Sequence, residues 1–161
     1  MSDEHQYLTF LLNGEEYAID ILRVQEIKGY SAITPIPNTP PHLRGVMNLR
    51  GNVVPVIDLR LRLGMEPAPY GQFTVIVLVM IGTRVHGMIV DAVSDVLHLA
   101  PAAIEPPPDL GASVDTSFIN GMAKPAGRLI ILLNVDRVVG VETALPAQLA
   151  ATAVEPAATH T

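Results

Sequence analysis

The sequence predicts an all-β protein built from two copies of one small β-unit. Of its 161 residues, 49% are hydrophobic but only 4% are aromatic, so Val, Ile and Leu must fill the core, and the β-branched Val and Ile favour strands. The apolar stretches are short and are bounded by turn residues, as strands are. The two halves of the chain also share a pattern of glycines and apolar runs. Together these observations predict two small lobes around a shared core.

The internal repeat aligns across a linker at 65–71 that contains Pro and Gly. The apolar run Val53–Leu59 lies over Leu129–Val135. In the same ungapped block, three glycines of each half coincide: Gly45, Gly51 and Gly64 with Gly121, Gly127 and Gly140. Glycine is placed by the needs of the backbone, so aligned glycines indicate aligned turns. Chance likeness between two β-rich stretches is the alternative. Two copies are too few for a solenoid, and we expect paired barrel-like lobes.

The predicted domain covers residues 1–140, with one lobe at about 7–64 and the other at about 71–140. This division leaves room for strands to exchange between the lobes. The stretch from Pro101 to Ser113 is rich in Pro and Gly and is expected to be a long surface loop. Residues 141–161 are Ala-rich, and we expect a short C-terminal helix or a disordered tail there.

The first half begins with a strand at Tyr7–Leu12 and a hairpin turn at Asn13–Glu15. The chain then continues in an extended form from Tyr17 to Gly29, and a shift of the apolar phase at Leu22-Arg23 suggests a β-bulge. Thr34–Pro41 holds four prolines, so it is predicted to be an extended crossover.

Two predictions concern the centre of the first half. His42–Asn48 is expected to carry one helical turn. Val53–Asp58 is a strand, and its Pro55 suggests an edge or bulge position, since proline cannot donate to a ladder. The remaining predicted elements are strands at Phe73–Ile81, Thr83–Val93 and Arg128–Asn134, and short helices at Asp58–Leu63 and Val135–Val139.

Composition excludes several classes of function. The absence of cysteine excludes disulfides, thiolate zinc sites, iron–sulfur clusters and cysteine nucleophiles. A net charge of −6, with 10 scattered Lys and Arg against 16 acids, argues against nucleic acid and anionic membranes as partners. The longest apolar run, Val75–Ile81, is far shorter than the roughly 20 residues of a membrane span. The acidic start lacks the features of a signal peptide. We therefore expect a soluble, cytoplasmic protein with no direct membrane insertion.

The sequence contains no recognisable catalytic motif. The 5 histidines show no helical i,i+4 spacing, no Gly-x-Ser-x-Gly elbow occurs, and Lys-Ser/Thr does not follow the glycine-bracketed loop at 45–51. The prediction is a non-enzyme without catalytic residues, metal or cofactor. The alternative from another class is a small-molecule-binding β-barrel or an unrecognised hydrolase, which would need a deep polar pocket with a perturbed carboxylate or histidine.

Arg50 stands out because it lies between Leu49 and a glycine in a largely apolar run. One interpretation is a surface arginine that braces a turn, paired with Glu26. The other is an arginine held at a protein interface, where its planar fork can bind carboxylates. Val24 and Ile27, which flank Glu26, are likewise either core residues or a docking stripe.

These segments resemble the family of chemotaxis coupling proteins known as CheW. The resemblance covers about Tyr7 to Val139, and the Asn-Leu-Arg-Gly run followed by Val-Pro-Val-Ile-Asp-Leu is its most specific part. The matching segments are Tyr17–Ile27, Asn38–Pro40, Arg44–Gly51, Val53–Arg60 and Gly87–Leu97.

The resemblance implies two five-stranded SH3-like β-barrels, side by side around a shared apolar core. It also implies a non-catalytic adaptor that binds the cytoplasmic tips of chemoreceptors and the regulatory domain of the histidine kinase CheA, in arrays at the inner membrane. An adaptor of another chemosensory pathway, such as one for twitching motility or development, is the alternative within the family.

Three sets of site residues follow from the same resemblance. A groove between the lobes would contact receptors, and the first lobe would contact the kinase. Glu26 and Arg50 match polar positions that are important for coupling. The implied receptor contacts are Val75, Val93 and Val96, and the implied kinase contacts are Leu8, Ile21 and Val24.

Overall fold

The computed structural model describes residues 5–107 and 117–139. Its strands are β1 (His5–Leu12), β2 (Glu15–Asp20), β3 (Val24–Gly29), β4 (Leu43–Leu49), β5 (Asn52–Asp58), β6 (Val75–Ile81), β7 (Arg84–Val90), β8 (Ala92–Leu99), β9 (Ile119–Ala123) and β10 (Ile130–Leu133), and its short helices are α1 (Leu59–Arg62) and α2 (Val135–Val139). The all-β prediction is confirmed. The predictions for 141–161, and for the Pro101–Ser113 loop beyond residue 107, concern residues outside the described ranges.

The strands form two five-stranded sheets, and each sheet takes strands from both halves of the chain. The first sheet has the order β8-β1-β2-β10-β9 and the second has the order β3-β6-β7-β5-β4. Within each sheet the halves meet at one parallel pair, β2 with β10 and β5 with β7. Segments 7–64 and 71–140 therefore both contribute to both sheets, through an exchange of the hairpins β1–β2 and β6–β7.

The internal duplication is confirmed by this topology. Replacing each strand of one half by its counterpart (β1 by β6, β2 by β7, and β3, β4 and β5 by β8, β9 and β10) converts one sheet order into the other. The parallel pairs also have equivalent registers, with Leu132 opposite Ala18 in one sheet and Val56 opposite Gly87 in the other.

The aligned glycines occupy equivalent backbone positions. A Cβ atom on Gly45 would lie 2.0 Å from the backbone oxygen of Thr34, and one on Gly121 would lie 2.8 Å from that of Glu105. Both glycines thus allow a passing segment to form a bridge, Thr34 with Val46 in one sheet and Glu105 with Met122 in the other. The glycines match because the same close approach occurs twice.

The chain crosses between the sheets at two short places. The first crossover is the 3-10 turn Ile21–Arg23, where the Asp20 carboxylate accepts a hydrogen bond from the Leu22 N–H at 2.9 Å. The second crossover is Asp91, the single residue between β7 and β8. The bulge predicted at Leu22-Arg23 is wrong because β2 leaves the first sheet there before β3 joins the second, so that no continuous ladder exists for a bulge to interrupt.

Two further predictions for the first half are wrong. The segment predicted as a helical turn, His42–Asn48, lies mostly in β4, where exposed Arg44 and Asn48 alternate with buried neighbours at the two-residue period of a strand. Pro55 lies on β5, which is an inner strand between β7 and β4. Its partner on β4 is Val46, whose backbone N–H and C=O both form hydrogen bonds with Thr34. Pro55 and Val46 therefore face each other at a non-hydrogen-bonded position of the β4–β5 ladder. The Pro55 nitrogen also precedes Val56, the first residue of β5 that pairs with β7. The absence of an N–H at Pro55 is therefore tolerated.

The main core lies between the two sheets and is shared by them. Phe10 and Ile19 enter it from the first sheet, and Val77 and Met88 enter it from the second. The short helices add Leu59, Val135, Val138 and Val139. Since one cluster joins both sheets, we expect the lobes to unfold together.

His86 on β7 predicts a pH dependence of stability. Burial lowers the pKa of His86, and a backbone hydrogen bond at Arg84 opposes the shift only in part. The unfolded chain then binds more protons than the folded one, so the free energy of unfolding falls as pH drops below about 6.5, by at most about 1.4 kcal/mol per pH unit for one proton. We expect His86→Gln to flatten the curve of urea-unfolding free energy between pH 7 and 5. Equal curves for wild type and His86→Gln would contradict this assignment.

Candidate protein-interaction surfaces

Glu26 and Arg50 form an ion pair at the surface of the second sheet. The Arg50 Nη2 donates to Glu26 Oε1 at 2.9 Å, and the hydrogen bond from Arg50 lowers the pKa of Glu26. The Arg50 side chain is nevertheless 63% exposed. The pairing with Glu26 is therefore observed, while the role at a protein interface stays a prediction that the outward-facing guanidinium permits.

The turn between β4 and β5 holds Arg50 in a strained conformation. Arg50 has a φ of 49°, in the left-handed region of backbone conformation that residues other than Gly, Asn and Asp rarely adopt. The Asn48 carboxamide braces the turn by accepting a hydrogen bond from the Gly51 N–H at 2.8 Å. The counterpart turn of the other half holds Ala126 at a φ of 52°. An arginine is thus not required by the turn itself, and its presence must be explained by what the side chain contacts.

The implied kinase contacts fall into two groups. Ile21 and Val24 lie at and just after the first crossover, are half-buried and pack against the main core. Leu8 is only 2% exposed and belongs to that core. Leu8 therefore faces the core and not the surface, because alternation along a β-strand places it on the inward face of β1.

The implied receptor contacts lie on strands from both sheets. Val75 begins β6, and Val93 and Val96 lie on β8. Val75 and Val93 are half-buried and pack against the same core cluster, whereas Val96 is exposed. The first two thus border the contact between the sheets, where a groove between the lobes was expected.

Two exposed apolar side chains, Leu22 and Ile27, lie near the predicted kinase and coupling residues. Leu22, at the first crossover, is 75% exposed and has Ile21 and Val24 beside it. Ile27 is exposed on β3, one residue from Glu26. The polar–apolar alternation of β3 pointed to Ile27, but nothing in the sequence distinguished Leu22 from a core leucine.

The small-molecule alternative can be compared with a depression near the start of β1. Its polar groups are Tyr7, His5 and Asp20, and the last two bind each other, with His5 Nε2 2.9 Å from Asp20 Oδ1. Leu99, Pro101 and Ile104 form the apolar wall. Paired in this way, the His5 and Asp20 side chains do not converge on a vacant binding position.

Two further findings concern metal sites and membrane spans among the residues that the structure describes. Across 5–107 and 117–139, no three His, Asp or Glu side chains come together in a way that could hold a metal ion. None of the helices in these ranges combines the length and hydropathy that crossing a bilayer requires.

Comparison with known proteins places this geometry in a family context. The family model described as "CheW-like domain" matches residues 6–142. The protein named chemotaxis protein CheW of Klebsiella aerogenes is 42% identical over 137 residues, covering 85% of this chain and 82% of the relative, and that of Rhizobium meliloti is 38% identical over 133 residues, covering 83% and 86%. Protein FrzA of Myxococcus xanthus is 29% identical over 136 residues, covering 83% of this chain and 84% of FrzA. The crystal structure of the scaffolding protein TtCheW from Thermoanaerobacter tengcongensis superposes with a TM-score of 0.81 at 35% identity, covering 89% of this chain and 98% of that one.

Proposed function

The chain belongs to the CheW-like domain family, and from that premise we propose that it is a non-catalytic adaptor that couples chemoreceptors to the histidine kinase CheA. The observation that carries this conclusion is the similarity to chemotaxis CheW proteins along most of the chain, in fold as well as in sequence. The finer parts of the proposal concern which surface meets which partner and where the adaptor works. The kinase contact would be made with the regulatory domain of CheA, and the receptor contact with the cytoplasmic tips of receptors in arrays at the inner membrane.

The kinase-binding surface is proposed at the first crossover. Ile21 and Val24 form its half-buried flank, and exposed Leu22 adds an apolar anchor that a partner can bury. A few buried apolar anchors supply most of the free energy in such interfaces. Leu8 contributes through the core against which Ile21 and Val24 pack.

The receptor-binding surface is proposed at Val75 and Val93, on the border of the two sheets, and at exposed Val96 farther along β8. Apolar residues that remain partly accessible suit the apolar side chains of a receptor helix bundle. Because Val75 and Val93 also pack on the shared core, a receptor bound there would contact both lobes at once. This arrangement supports a role in which receptor binding is transmitted through the adaptor.

Glu26 and Arg50 are proposed to orient the bound partners. Charged groups at the rim of an interface add orientation and specificity more than affinity. The paired but exposed Arg50 can keep Glu26 as one partner while its remaining N–H groups reach a carboxylate on another protein. The strained turn supports this role, since its counterpart does without arginine.

Arg50→Ala is expected to weaken coupling while leaving the fold intact. The turn already accepts alanine in this conformation at Ala126, so the free energy of unfolding should change by less than about 1 kcal/mol. Receptor-dependent kinase activity should fall by roughly tenfold, as expected for the loss of an interfacial charge contact. Arg84→Ala, an exposed arginine of the same sheet, is the matched control. Normal kinase control in Arg50→Ala would refute the role of Arg50.

The pair itself is tested by reversing its charges. If Arg50 acts only by holding Glu26, the double variant Glu26→Arg/Arg50→Glu should recover coupling. If Arg50 binds a partner carboxylate, the double variant should remain defective, and this is the result that the proposal predicts.

Binding to the two partners can be measured without kinase activity. We expect the protein to sediment with receptor-containing membranes and, separately, to bind CheA in solution. Val96→Glu should reduce sedimentation with receptors and spare CheA binding, whereas Leu22→Glu should do the reverse. Equal losses of both from either variant would contradict the proposed division of surfaces.

The relative named Protein FrzA favours a second candidate, a coupling adaptor for another chemosensory pathway. The interaction surfaces would be the same, and only the identity of the kinase and receptors would differ. Activation of one kinase and not another from the same genome distinguishes the two candidates.

A further inference from the structure

Two ion pairs lie at equivalent places in the duplicated fold, one beside each parallel pair of strands. At the first crossover, Arg23 binds Asp136 of α2, and its Nε donates to the backbone oxygen of Met80 at 3.0 Å. At the second crossover, Asp91 binds Arg60 of α1, with Nε–Oδ1 at 2.9 Å and Nη2–Oδ2 at 2.7 Å. Each pair joins a residue of the crossover after a strand of one half to the helix that follows a strand of the other half.

The two ion pairs have opposite polarity. Arg60 and Asp136 are the second residues of α1 and α2, and they coincide in the same alignment that superposes the glycines. Arg23 and Asp91 lie at the two crossovers, one position away from strict correspondence. The first pair therefore has its cation at the crossover and its anion on the helix, and the second pair has the reverse.

This polarity matters because a duplicated chain has another way to fold. If each half folded on itself, β2 would pair with β5 and β7 would pair with β10, in place of the exchanged pairs. Arg23 would then face Arg60, and Asp91 would face Asp136. Both contacts would become repulsive, whereas both are attractive in the exchanged arrangement.

A third ion pair points in the same direction. Glu16 on β2 binds Arg128 just before β10, with Nε–Oε1 at 2.9 Å. In the self-folded arrangement, the counterpart of Arg128 opposite Glu16 is Asn52, and the pair is lost. At the matching register position of the two parallel pairs, the halves carry the apolar residues Val56 and Leu132.

We propose that the opposite polarity of the Arg23–Asp136 and Arg60–Asp91 pairs selects the exchanged arrangement of the two hairpins over the arrangement in which each half folds on itself. The charges thereby contribute to specifying which strands become neighbours in a chain whose halves share an apolar pattern. This role goes beyond coupling, although the border between the sheets that carries Val75 and Val93 depends on it.

The ionisation states support the same contacts. The hydrogen bond from Arg23 lowers the pKa of Asp136. Burial opposes the ionisation of Asp91, but the hydrogen bonds from Arg60 and from the Asn13 N–H outweigh it and lower the pKa of Asp91. Both carboxylates are therefore charged at neutral pH, where the discrimination is needed.

The test exchanges charges in steps. Arg23→Asp/Asp91→Arg makes both native contacts repulsive, and Arg23→Ala/Asp91→Ala removes them without repulsion. Adding Arg60→Asp/Asp136→Arg to the first variant restores attraction with every polarity inverted. In urea unfolding, we expect the ratio of folded to unfolded protein to be about tenfold lower for the charge-reversed double variant than for the alanine variant. The quadruple variant should recover most of that loss.

If the charge-reversed double variant fails to fold, the test rests on the quadruple variant, in which both contacts are attractive again. Recovery by the quadruple variant supports the proposal. Where the double variant keeps the native strand neighbours, a quadruple variant no more stable than the double variant would overturn the proposal, as would a double variant as stable as its alanine control.

Introduced disulfides can report which strands are neighbours, since the chain has no cysteine of its own. Ala18→Cys/Leu132→Cys places thiols on aligned residues of β2 and β10, and Ala18→Cys/Val56→Cys would bridge only the self-folded arrangement. During oxidative refolding, native charges should give the first disulfide and almost none of the second. The charge-reversed background should raise the yield of the second disulfide, and an unchanged yield would count against the proposal.

Discussion

Gly45→Ala is expected to destabilise the protein by about 4 kcal/mol or more, a large share of the roughly 5–15 kcal/mol by which ordinary domains are stable. A Cβ atom at this position would lie 2.0 Å from the backbone oxygen of Thr34 and within 3 Å of two further backbone atoms. Backbone cannot move aside as a flexible side chain can. The φ of 145° at Gly45 adds strain for any other residue. The bridge between Thr34 and Val46 would have to separate, which would release the segment that covers β4.

The control for Gly45→Ala is Gly29→Ala on β3 of the same sheet. A Cβ atom there meets no atom within 4 Å, so this variant should keep nearly the stability of the wild type. Urea unfolding followed by far-ultraviolet circular dichroism gives both free energies. Similar midpoints for the two variants would show that the close approach at Thr34 does not constrain the fold.

Phe10→Ala is expected to cost about 3–5 kcal/mol, through lost burial and the cavity left behind. Phe10 is 0% exposed, stacks on Tyr17 at 6.3 Å between ring centroids, and lies in the cluster that both sheets share. Its removal should therefore lower the stability of both lobes in a single transition.

Phe73→Ala is the matched change at the surface, because Phe73 is 68% exposed. Its free energy of unfolding should stay within about 0.5 kcal/mol of the wild type. Calorimetry distinguishes a single lowered transition in Phe10→Ala from two separate ones. Two transitions would contradict the idea of a core held in common.

The duplication could be predicted because glycines report backbone geometry. Gly45 and Gly121 align in sequence since each accommodates a bridging segment, and Gly51 and Gly127 align since each has a positive φ in an equivalent turn. The short helices α1 and α2 were also predicted, from the residues that follow two matching apolar strands.

The exchange of hairpins could not be predicted from the same pattern. The matching strands of the two halves have similar apolar residues, so periodicity does not say which copy is the neighbour. The information resides in a few charged residues such as Arg23 and Asp91, whose partners are distant in sequence. The helical turn expected at His42–Asn48 failed for a related reason, because the pairing of β4 with β5 overrides a weak local preference.

The candidate site was predicted unevenly. Glu26 and Arg50 were suggested together, and they form an ion pair. Leu8 and Ile21 look alike in the sequence, yet one lies in the core and the other at the crossover, a difference that depends on where β2 ends. Exposure of an apolar residue such as Leu22 is set by tertiary structure and leaves no mark on local composition.

The most direct test of the coupling role is a kinase phosphorylation assay with purified CheA and receptor fragments from the same genome, with and without this protein. We predict that receptor-dependent activation of the kinase appears only when the protein is present, and that it is weakened in Arg50→Ala. If well-folded protein neither binds the kinase nor changes its activity in the presence of receptors, the coupling role is contradicted.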